Sequence, residues 1–312
     1  MNLSDAPHLT IASLSHPGEQ RTLNEDRFKT AHFVTSTRTP EPVVFAVVAD
    51  GIGGHQAGEV AAEITVEAMN AGVAGSTGKK PLDILKTSVL RAWNQVYQLS
   101  EQQSDLEGMG STVAAALVLG NRLYITYVGD SRIYFLHDGE LRQISIDHTW
   151  VQEAMDRDII TKDEAENHPN AHVLRRHIGG SNPPEPDIRL QLFPGEPDRS
   201  AESNQGLTLE AKDQILLCTD GLTDLVKGKE IESLLNAHEP GEAVKSLVQL
   251  ARMRGGHDNI TVVLLSIPET ISPGDFRLAR FLLRAFLSTL ILLLITAIAL
   301  AIGWWFGIWP WS

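Results

Sequence analysis

A single cysteine, Cys218, stands among 312 residues, so the chain builds no internal disulfide framework and fits a reducing compartment. It lies in the apolar run Ile215-Leu216-Leu217-Cys218, which reads as a core position. The six residues after it, Thr219 to Asp224, contain no arginine to hold phosphoryl oxygens, which excludes nucleophilic-cysteine chemistry on phosphate esters. Acidic residues are missing beyond Asp275, and charge of either sign is missing from Ala285 to Ser312. Basic residues are scarce throughout, with 26 Lys and Arg against 39 Asp and Glu. Setting aside Arg277, Arg280 and Arg284, the only charges beyond Asp275, takes the formal charge from −13 to −16. A body this acidic repels phosphate backbones, so nucleic acid is not an expected partner, whereas cation capture is compatible with it, as is simple solubility. Met1 to Gly18 has neither the basic nor the apolar region of a signal peptide. Internal repeats and low-complexity tracts are also missing.

What is present is a hydrophobic fraction of 43% with ordinary Gly and Pro usage, enough to bury a sizeable core. Ala285 to Phe306 is dominated by Leu, Ile, Ala and Phe, long enough as a helix to cross a hydrocarbon layer of roughly 30 Å. The three arginines before it place its N-terminal side in the cytoplasm by the positive-inside tendency, and Trp304, Trp305, Trp309 and Trp311 at the far end read as an interfacial belt. The expectation is therefore a body over residues 1–267, a linker over 268–276 punctuated by Pro268, Pro273 and Gly274, and a basic flank with a single-pass tail anchor over 277–312. The body would face the cytoplasm from the inner membrane.

Within the body, Val43 to Ala49 is a continuous β-branched and apolar run that predicts a buried strand ending at Asp50-Gly51. Helical composition over Glu59 to Met69 and helical spacing over Pro81 to Ser100 predict two helices. Thr112–Leu119, Arg122–Val128 and Arg132–Leu136 read as successive strands, and His137-Asp138-Gly139-Glu140 as a hairpin turn. Gln214–Cys218 and Asn259–Ser266 are further short strands, with a helix over Glu242–Met253 between them. The lack of sustained βαβ alternation favours antiparallel sheets flanked by helices.

The chemistry lies in aspartates placed where strands stop. Asp50, Asp130, Asp220 and Asp258 each adjoin a strand and a turn. Alone, each Asp-Gly or Asp-Ser step is an ordinary turn, and Asp138-Gly139 reads as nothing more. Together, four carboxylates at strand ends can converge on one edge of a sandwich, where hard cations such as Mg²⁺ and Mn²⁺ would be needed between them. Two such ions roughly 4 Å apart activate a water for in-line attack on phosphorus.

These residues resemble the metal-dependent protein phosphatases of the PP2C type, bacterial branch. The resemblance rests on Arg21-Thr22-Leu23-Asn24-Glu25-Asp26, Asp50-Gly51-Ile52-Gly53-Gly54-His55 with Gly58-Glu59, and Gly108-Met109-Gly110-Ser111-Thr112. It continues through Val128-Gly129-Asp130-Ser131-Arg132, Thr219-Asp220-Gly221-Leu222 and His257-Asp258-Asn259-Ile260-Thr261-Val262. Six ordered motifs cover roughly residues 8 to 267. The resemblance implies an α+β, four-layer αββα sandwich, two antiparallel sheets between helices, with one transmembrane helix added at the C-terminus. It implies two or three Mn²⁺ or Mg²⁺ ions. Asp50 would bridge two of them, with the Gly51 carbonyl as a further ligand, and Asp220 and Asp258 would complete the first. Glu25 and Asp26 would act mostly through water, and Asp130 with Asp220 would serve a third ion.

Arg21 would clamp the substrate phosphate, and Asn259 would support Asp258. The catalytic set implied is thus Arg21, Asp50, Asp220 and Asp258. Many eukaryotic relatives carry a histidine, proposed as general acid, where this chain has Ile52, so the leaving-group proton must come from elsewhere, a metal-bound water or His55. Residues 147–176 hold the place of a flap beside the active site, with an ordinary helical insertion as the alternative. Its neighbouring histidines His168, His172 and His177 form no metal-ligand pattern without carboxylates brought to them by the fold.

The reading is a tethered phosphoserine/phosphothreonine phosphatase, its partners phosphorylated proteins such as a membrane Ser/Thr kinase or its targets. A pseudophosphatase that binds phosphoproteins without turnover is the alternative, disfavoured by the presence of Arg21, Asp26, Asp50, Asp220 and Asp258. An aspartyl-nucleophile enzyme using Asp50 is disfavoured because position 52 lacks the second aspartate.

Overall fold

Hydrophobic alternation and turn chemistry set the elements of the computed structural model, which describes residues 1–4, 6–53, 57–166 and 168–269. The strands are β1 (Asn2–Leu3), β2 (Thr10–His16), β3 (Arg27–Val34), β4 (Pro42–Ala49), β5 (Gly51–Ile52), β6 (Gly110–Ser111), β7 (Val113–Leu119), β8 (Arg122–Val128), β9 (Arg132–His137), β10 (Glu140–Gln143), β11 (Leu207–Thr208), β12 (Gln214–Cys218) and β13 (Ile260–Ser266). The helices are α1 (Ala57–Ala74), α2 (Pro81–Gln102), α3 (Trp150–Asp156), α4 (Lys162–Glu166), α5 (Asp198–Ser203), α6 (Asp220–Thr223), α7 (Gly228–Ala237) and α8 (Pro240–Met253).

Two antiparallel sheets carry the architecture, one in the order β1-β3-β4-β7-β8-β11 and one in the order β10-β9-β12-β13-β2. Strands β4 and β7 are apolar on both faces because both faces are covered. One face, Val43, Phe45, Val47 and Ala49, packs with Ala61, Met69, Leu85 and Val89 of α1 and α2. The residues between them, Val44, Ala46 and Val48, are equally buried and face the second sheet, whose β12 and β13 pack on β4. On the far side of that sheet, Leu216, Cys218, Val262 and Leu264 pack with Ile231, Val244 and Leu247 of α7 and α8. The expected order of layers, helices, sheet, sheet, helices, is therefore present in residues 1–268, which form one compact unit. Each fully buried Leu or Val contributes about 1.5–3 kcal/mol by leaving water. Burial also pushes the Cys218 thiol up to about 12, leaving it protonated and inert, as its apolar flanks imply.

Asp138 and Gly139 both take positive φ, 49° and 80°, and His137 pairs with Glu140, so this Asp-Gly step is a two-residue hairpin turn and nothing else. The sequence reading omitted α7 and the strands β2 and β3. Both strands mix polar and apolar residues, Thr10-Ile11-Ala12-Ser13-Leu14-Ser15-His16 and Arg27-Phe28-Lys29-Thr30-Ala31-His32-Phe33-Val34. That composition lacks the continuous apolar run that identified the inner strands. Among the described residues no helix is long and apolar enough to cross a membrane. The predicted membrane segment, most of the linker and His55 lie outside the described residues.

Register brings the site together. Arg27 pairs with Ala49, Val48 with Ala114, Val113 with Val128, and Cys218 with Val262. The start of β3, the ends of β4, β8 and β12, and the start of β13 therefore lie at one end of the sandwich. The residues that follow or precede these positions are Asp26, Asp50, Asp130, Asp220 and Asp258. Gly221 permits the closest of these approaches. A Cβ there would lie 1.9 Å from the backbone oxygen of Asn259, so no larger residue lets the chain after β12 lie against the chain before β13.

Candidate metal centre

Five aspartates from both sheets meet at this end, and local hydrogen bonds hold three of them, Asp26, the Asp50 backbone and Asp258. Asp26 is 2% exposed, and its Oδ2 accepts a 2.8 Å hydrogen bond from the Thr219 hydroxyl. Thr219 Oγ1 in turn accepts from the Thr261 amide at 3.0 Å, so one hydroxyl ties the first sheet to β12 and β13. The Asp50 amide donates to Thr112 Oγ1 at 2.9 Å, and that hydroxyl lies 2.7 Å from Ser131 Oγ. The turn after β4 is thereby joined to the turns that hold Thr112 and Asp130. Gly51 and Gly58 lie backbone to backbone, and a Cβ on Gly58 would sit 2.8 Å from the Gly51 carbonyl oxygen and 2.7 Å from Glu25 Oε1.

Asn259 departs from its expected role. Its side chain does not brace the Asp258 carboxylate; it donates to the carbonyls of Pro17 and Leu23 at 3.0 and 2.9 Å and accepts from the Glu25 amide at 2.7 Å. It therefore shapes the loop that carries Arg21, Glu25 and Asp26. The Asn259 backbone amide is what reaches Asp258 Oδ1, at 2.9 Å. Arg21 Nη2 donates to Asp258 Oδ2 at 2.9 Å while its side chain stays 52% exposed, so a phosphate can still reach the remaining guanidinium donors.

Electrostatics identifies what the cluster lacks. Burial raises the Asp26 carboxyl to about 7, aided by the neighbouring charges of Asp220 and Asp258. Burial also raises Asp220 to about 6, with Asp224 and Asp258 adding to it. Asp50 and Asp130 stand well above the ordinary range, first through burial and then through nearby aspartates. Glu25 is raised mainly by burial. Asp26 Oδ1, Asp220 Oδ1 and Glu25 Oε1 are buried with no hydrogen-bond partner. Orphaned carboxylate oxygens of this kind cost several kcal/mol unless something positive meets them. An all-oxygen donor set with such vacant lone pairs suits Mg²⁺ or Mn²⁺.

The segment from Asp147 to Ile178 leaves the sandwich beside this centre and is pinned at both ends. His148 Nδ1 accepts from the Gly129 amide at 3.1 Å, and its Nε2 donates to Asp187 Oδ2 at 3.1 Å. Ile178 and Ser111 exchange backbone hydrogen bonds. Between these points lie α3, whose Thr149 cap accepts from the Gln152 amide, and α4. The segment is thus helical as well as adjacent to the site. Thr112, Thr219, His148 and Asp187 were not assigned roles from sequence. Thr112 and Thr219 were legible only as members of motifs, and the pairing of His148 with Asp187 spans 39 residues.

Comparison with known proteins gives a consistent picture. Residues 18–253 match the protein phosphatase 2C family. The chain is 37% identical over 220 residues to the serine/threonine protein phosphatase PstP of Mycobacterium tuberculosis, covering 70% of this chain and 40% of that one. It thus spans less than half the length of this relative. It is 33% identical over 242 residues to the serine/threonine phosphatase stp of Listeria monocytogenes, covering 74% and 87% of the two chains. The solved serine/threonine phosphatase of S. agalactiae superposes with a TM-score of 0.70 at 30% identity, over 82% of this chain and 98% of that one. A PstP catalytic domain solved with two manganese ions superposes with a TM-score of 0.67 at 34% identity, over 83% and 97%.

A metal-free test follows from the Asp26 environment. Its carboxyl is raised from 3.8 to about 7 in the fold, so the stability it contributes is fully present below about pH 4 and is lost as pH rises through 7. In EDTA, Asp26→Asn should exceed the wild type in urea-unfolding stability at pH 8 by on the order of 2 kcal/mol, and the gap should close towards pH 4. A difference that does not change with pH would show that Asp26 is ionised without penalty.

Proposed function

Because the chain belongs to the protein phosphatase 2C family, we propose that it hydrolyses phosphoserine and phosphothreonine in proteins, using Mn²⁺ or Mg²⁺ held by the aspartates at the end of the sandwich. The observation that carries this reading is the set of buried, partnerless carboxylate oxygens on Asp26, Asp220 and Glu25, gathered with Asp50, Asp130 and Asp258 around one point. Asp50 would be shared by two ions, with the Gly51 carbonyl beside it, and Asp220 and Asp258 would complete the first. Asp26 and Glu25 would act mainly through water, and Asp130 with Asp220 would serve a third ion. When bound, the ions supply the positive charge that makes a water nucleophilic at neutral pH and offsets charge building on the phosphoryl oxygens.

The chain's own residues do the remainder. Arg21, held at one nitrogen by Asp258, presents its other donors to the substrate phosphate and sets its orientation. Asn259 keeps the Arg21–Asp26 loop against β13, which fixes the distance between phosphate clamp and carboxylates. Thr219 and Thr112 hold Asp26 and the Asp50 backbone in place, so little reorganisation accompanies the reaction. Ile52 carries no proton to give to the departing serine or threonine oxygen, so that proton would come from a water held at the metal centre or from His55.

Attachment to a membrane belongs to the same proposal. Its support is the uncharged run over 285–306, the three preceding arginines and the tryptophans after it. This arrangement would keep the catalytic body in the cytoplasm, at the inner membrane, with phosphoproteins there, such as a transmembrane Ser/Thr kinase or its targets, as substrates.

Purified full-length protein should release phosphate from a phosphothreonine peptide with Mn²⁺ and stop when EDTA is added. Asp220→Asn, which removes ligand charge while keeping shape, should lower the rate by about a hundredfold or more. Metal binding without turnover would instead favour a phosphoprotein-binding role. In cell fractionation, the full chain should stay with membranes through alkaline carbonate and leave with detergent, whereas a chain ending at residue 276 should be soluble; a full chain released by carbonate would refute the anchor.

A further inference from the structure

Most histidines at the active end are already engaged. His148 accepts from the Gly129 amide and donates to Asp187, His16 accepts from the Gly18 amide, and His168 stacks on Trp150 with ring centroids 4.7 Å apart. His172 and His257 both approach Asp224 Oδ2, at 3.8 and 3.4 Å. His177 is the exception. Its side chain is half-buried, yet among the described residues its ring has no hydrogen-bond or ion-pair partner. Burial lowers its pKa, with no charged neighbour contributing.

Backbone pairing fixes where that ring stands. Gly51 pairs with Ser111 and Ile52 with Gly110, while Ser111 and Ile178 exchange amide hydrogen bonds at 3.0 and 2.7 Å. β6 is therefore flanked by β5 on one side and by residues 177–179 on the other. The Thr112 amide donates to the Asp50 carbonyl at 2.9 Å, which continues the same register. Side chains opposite one another on neighbouring strands share a face. Ser111 and Ile178 share one face, where Ile178 packs in the core with Val96 and Met109; Asp50, Ile52, Thr112 and His177 share the other. Gly110 stands between Ile52 and His177 on that second face, and its missing side chain makes the room. A Cβ there would lie 3.0 Å from His177 Cδ2 and 3.7 Å from Ile52 Cβ. Gly180 leaves space at the other edge of the ring, where a Cβ would lie 3.5 Å from Nε2. The imidazole thus leans across a glycine gap towards the segment that carries Asp50 and the Gly51 carbonyl.

We propose that His177 resupplies the proton taken up by the departing serine or threonine oxygen, donating from its ring to the water that hands this proton over. The role rests on the hydrolytic reading and names the residue behind one of its steps. As the oxygen of the attacking water bonds to phosphorus, the bond from phosphorus to the serine or threonine oxygen breaks, and that oxygen keeps the bonding pair. It takes a proton from the intervening water, and the imidazolium passes a ring proton to that water. The proton lost by the attacking water returns to the ring through solvent, so no co-reactant is needed. A proton donor acts through one water as well as directly. Charge favours the timing, because burial lowers the pKa of the ring in the free protein and an arriving phosphate dianion raises it again. The ring therefore gains its proton as substrate binds.

Leaving-group chemistry provides the test. A threonine oxygen must be protonated as it leaves, whereas p-nitrophenolate leaves as a stable anion. In full-length protein with Mn²⁺, His177→Ala should lower kcat on a phosphothreonine peptide by about a hundredfold, the low end for general acid–base catalysis, with KM little changed. Its kcat on p-nitrophenyl phosphate should fall far less. His177→Gln keeps bulk over Gly110 but cannot be protonated, so it should behave as His177→Ala does. A second readout needs no turnover. With Mg²⁺ present, inorganic phosphate should move the NMR signal of the His177 ring, assigned by its loss in His177→Gln. Equal losses on the two esters, no loss on the peptide, or an unmoved ring signal would overturn the role. A wild type that binds Mn²⁺ but hydrolyses neither ester would overturn the phosphatase reading, and this role with it.

Discussion

Mutual repulsion among carboxylates that the fold forces together is the constraint on which the rest of this structure depends. Two antiparallel sheets in fixed register deliver Asp26, Asp50, Asp130, Asp220 and Asp258 to one end. Burial then raises the cost of ionising four of them. Protonation relieves that cost at low pH and bound cations relieve it at neutral pH. The packed layers on either side contribute the stability that lets the chain tolerate such a site, since their apolar faces are buried independently of it.

Rigidity around the cluster comes from short polar links and from backbone contact, not from the carboxylates themselves. Thr219 joins the two sheets through Asp26 and the Thr261 amide. Asn259 holds the Arg21 loop by two carbonyls and one amide. Gly221 lets the Asp220 turn lie against the Asn259 backbone. On the opposite flank, the buried His148–Asp187 pair grips the Gly129 amide next to Asp130, with Arg189 closing on Asp187 at 2.9–3.1 Å through its amide and Nε. Each link fixes a backbone segment adjacent to an aspartate, so each aspartate is aimed by its neighbours.

Much of this was legible in the sequence, for identifiable reasons. Strands β4, β7 and β12 were readable because burial on both faces leaves a continuous apolar run, and β8 and β9 because each ends in a turn. The aspartates stood out because they interrupt those runs at strand ends. Strands β2 and β3 were not readable from composition, since half of their residues are polar. Asn259 was recognised as a supporting residue, but which group it supports depends on loops near residues 17 and 23 that sequence distance hides. The association of His172 with Asp224 joins positions 52 residues apart and exists only because the excursion after β10 folds back over α6. The proposed membrane segment rests on composition alone, because hydropathy needs no tertiary partner to be read.

The central claim is that the aspartate cluster is a cation site and not a protonated carboxyl network. Crystals of the protein grown at neutral pH with Mn²⁺ and measured at a wavelength where manganese scatters anomalously test it most directly. The account predicts at least two anomalous peaks within coordination distance of the Asp50, Asp220 and Asp258 carboxylates, with the Gly51 carbonyl turned towards one of them. No peak at these residues in crystals soaked at millimolar Mn²⁺, with the carboxylates instead paired to one another, would contradict it.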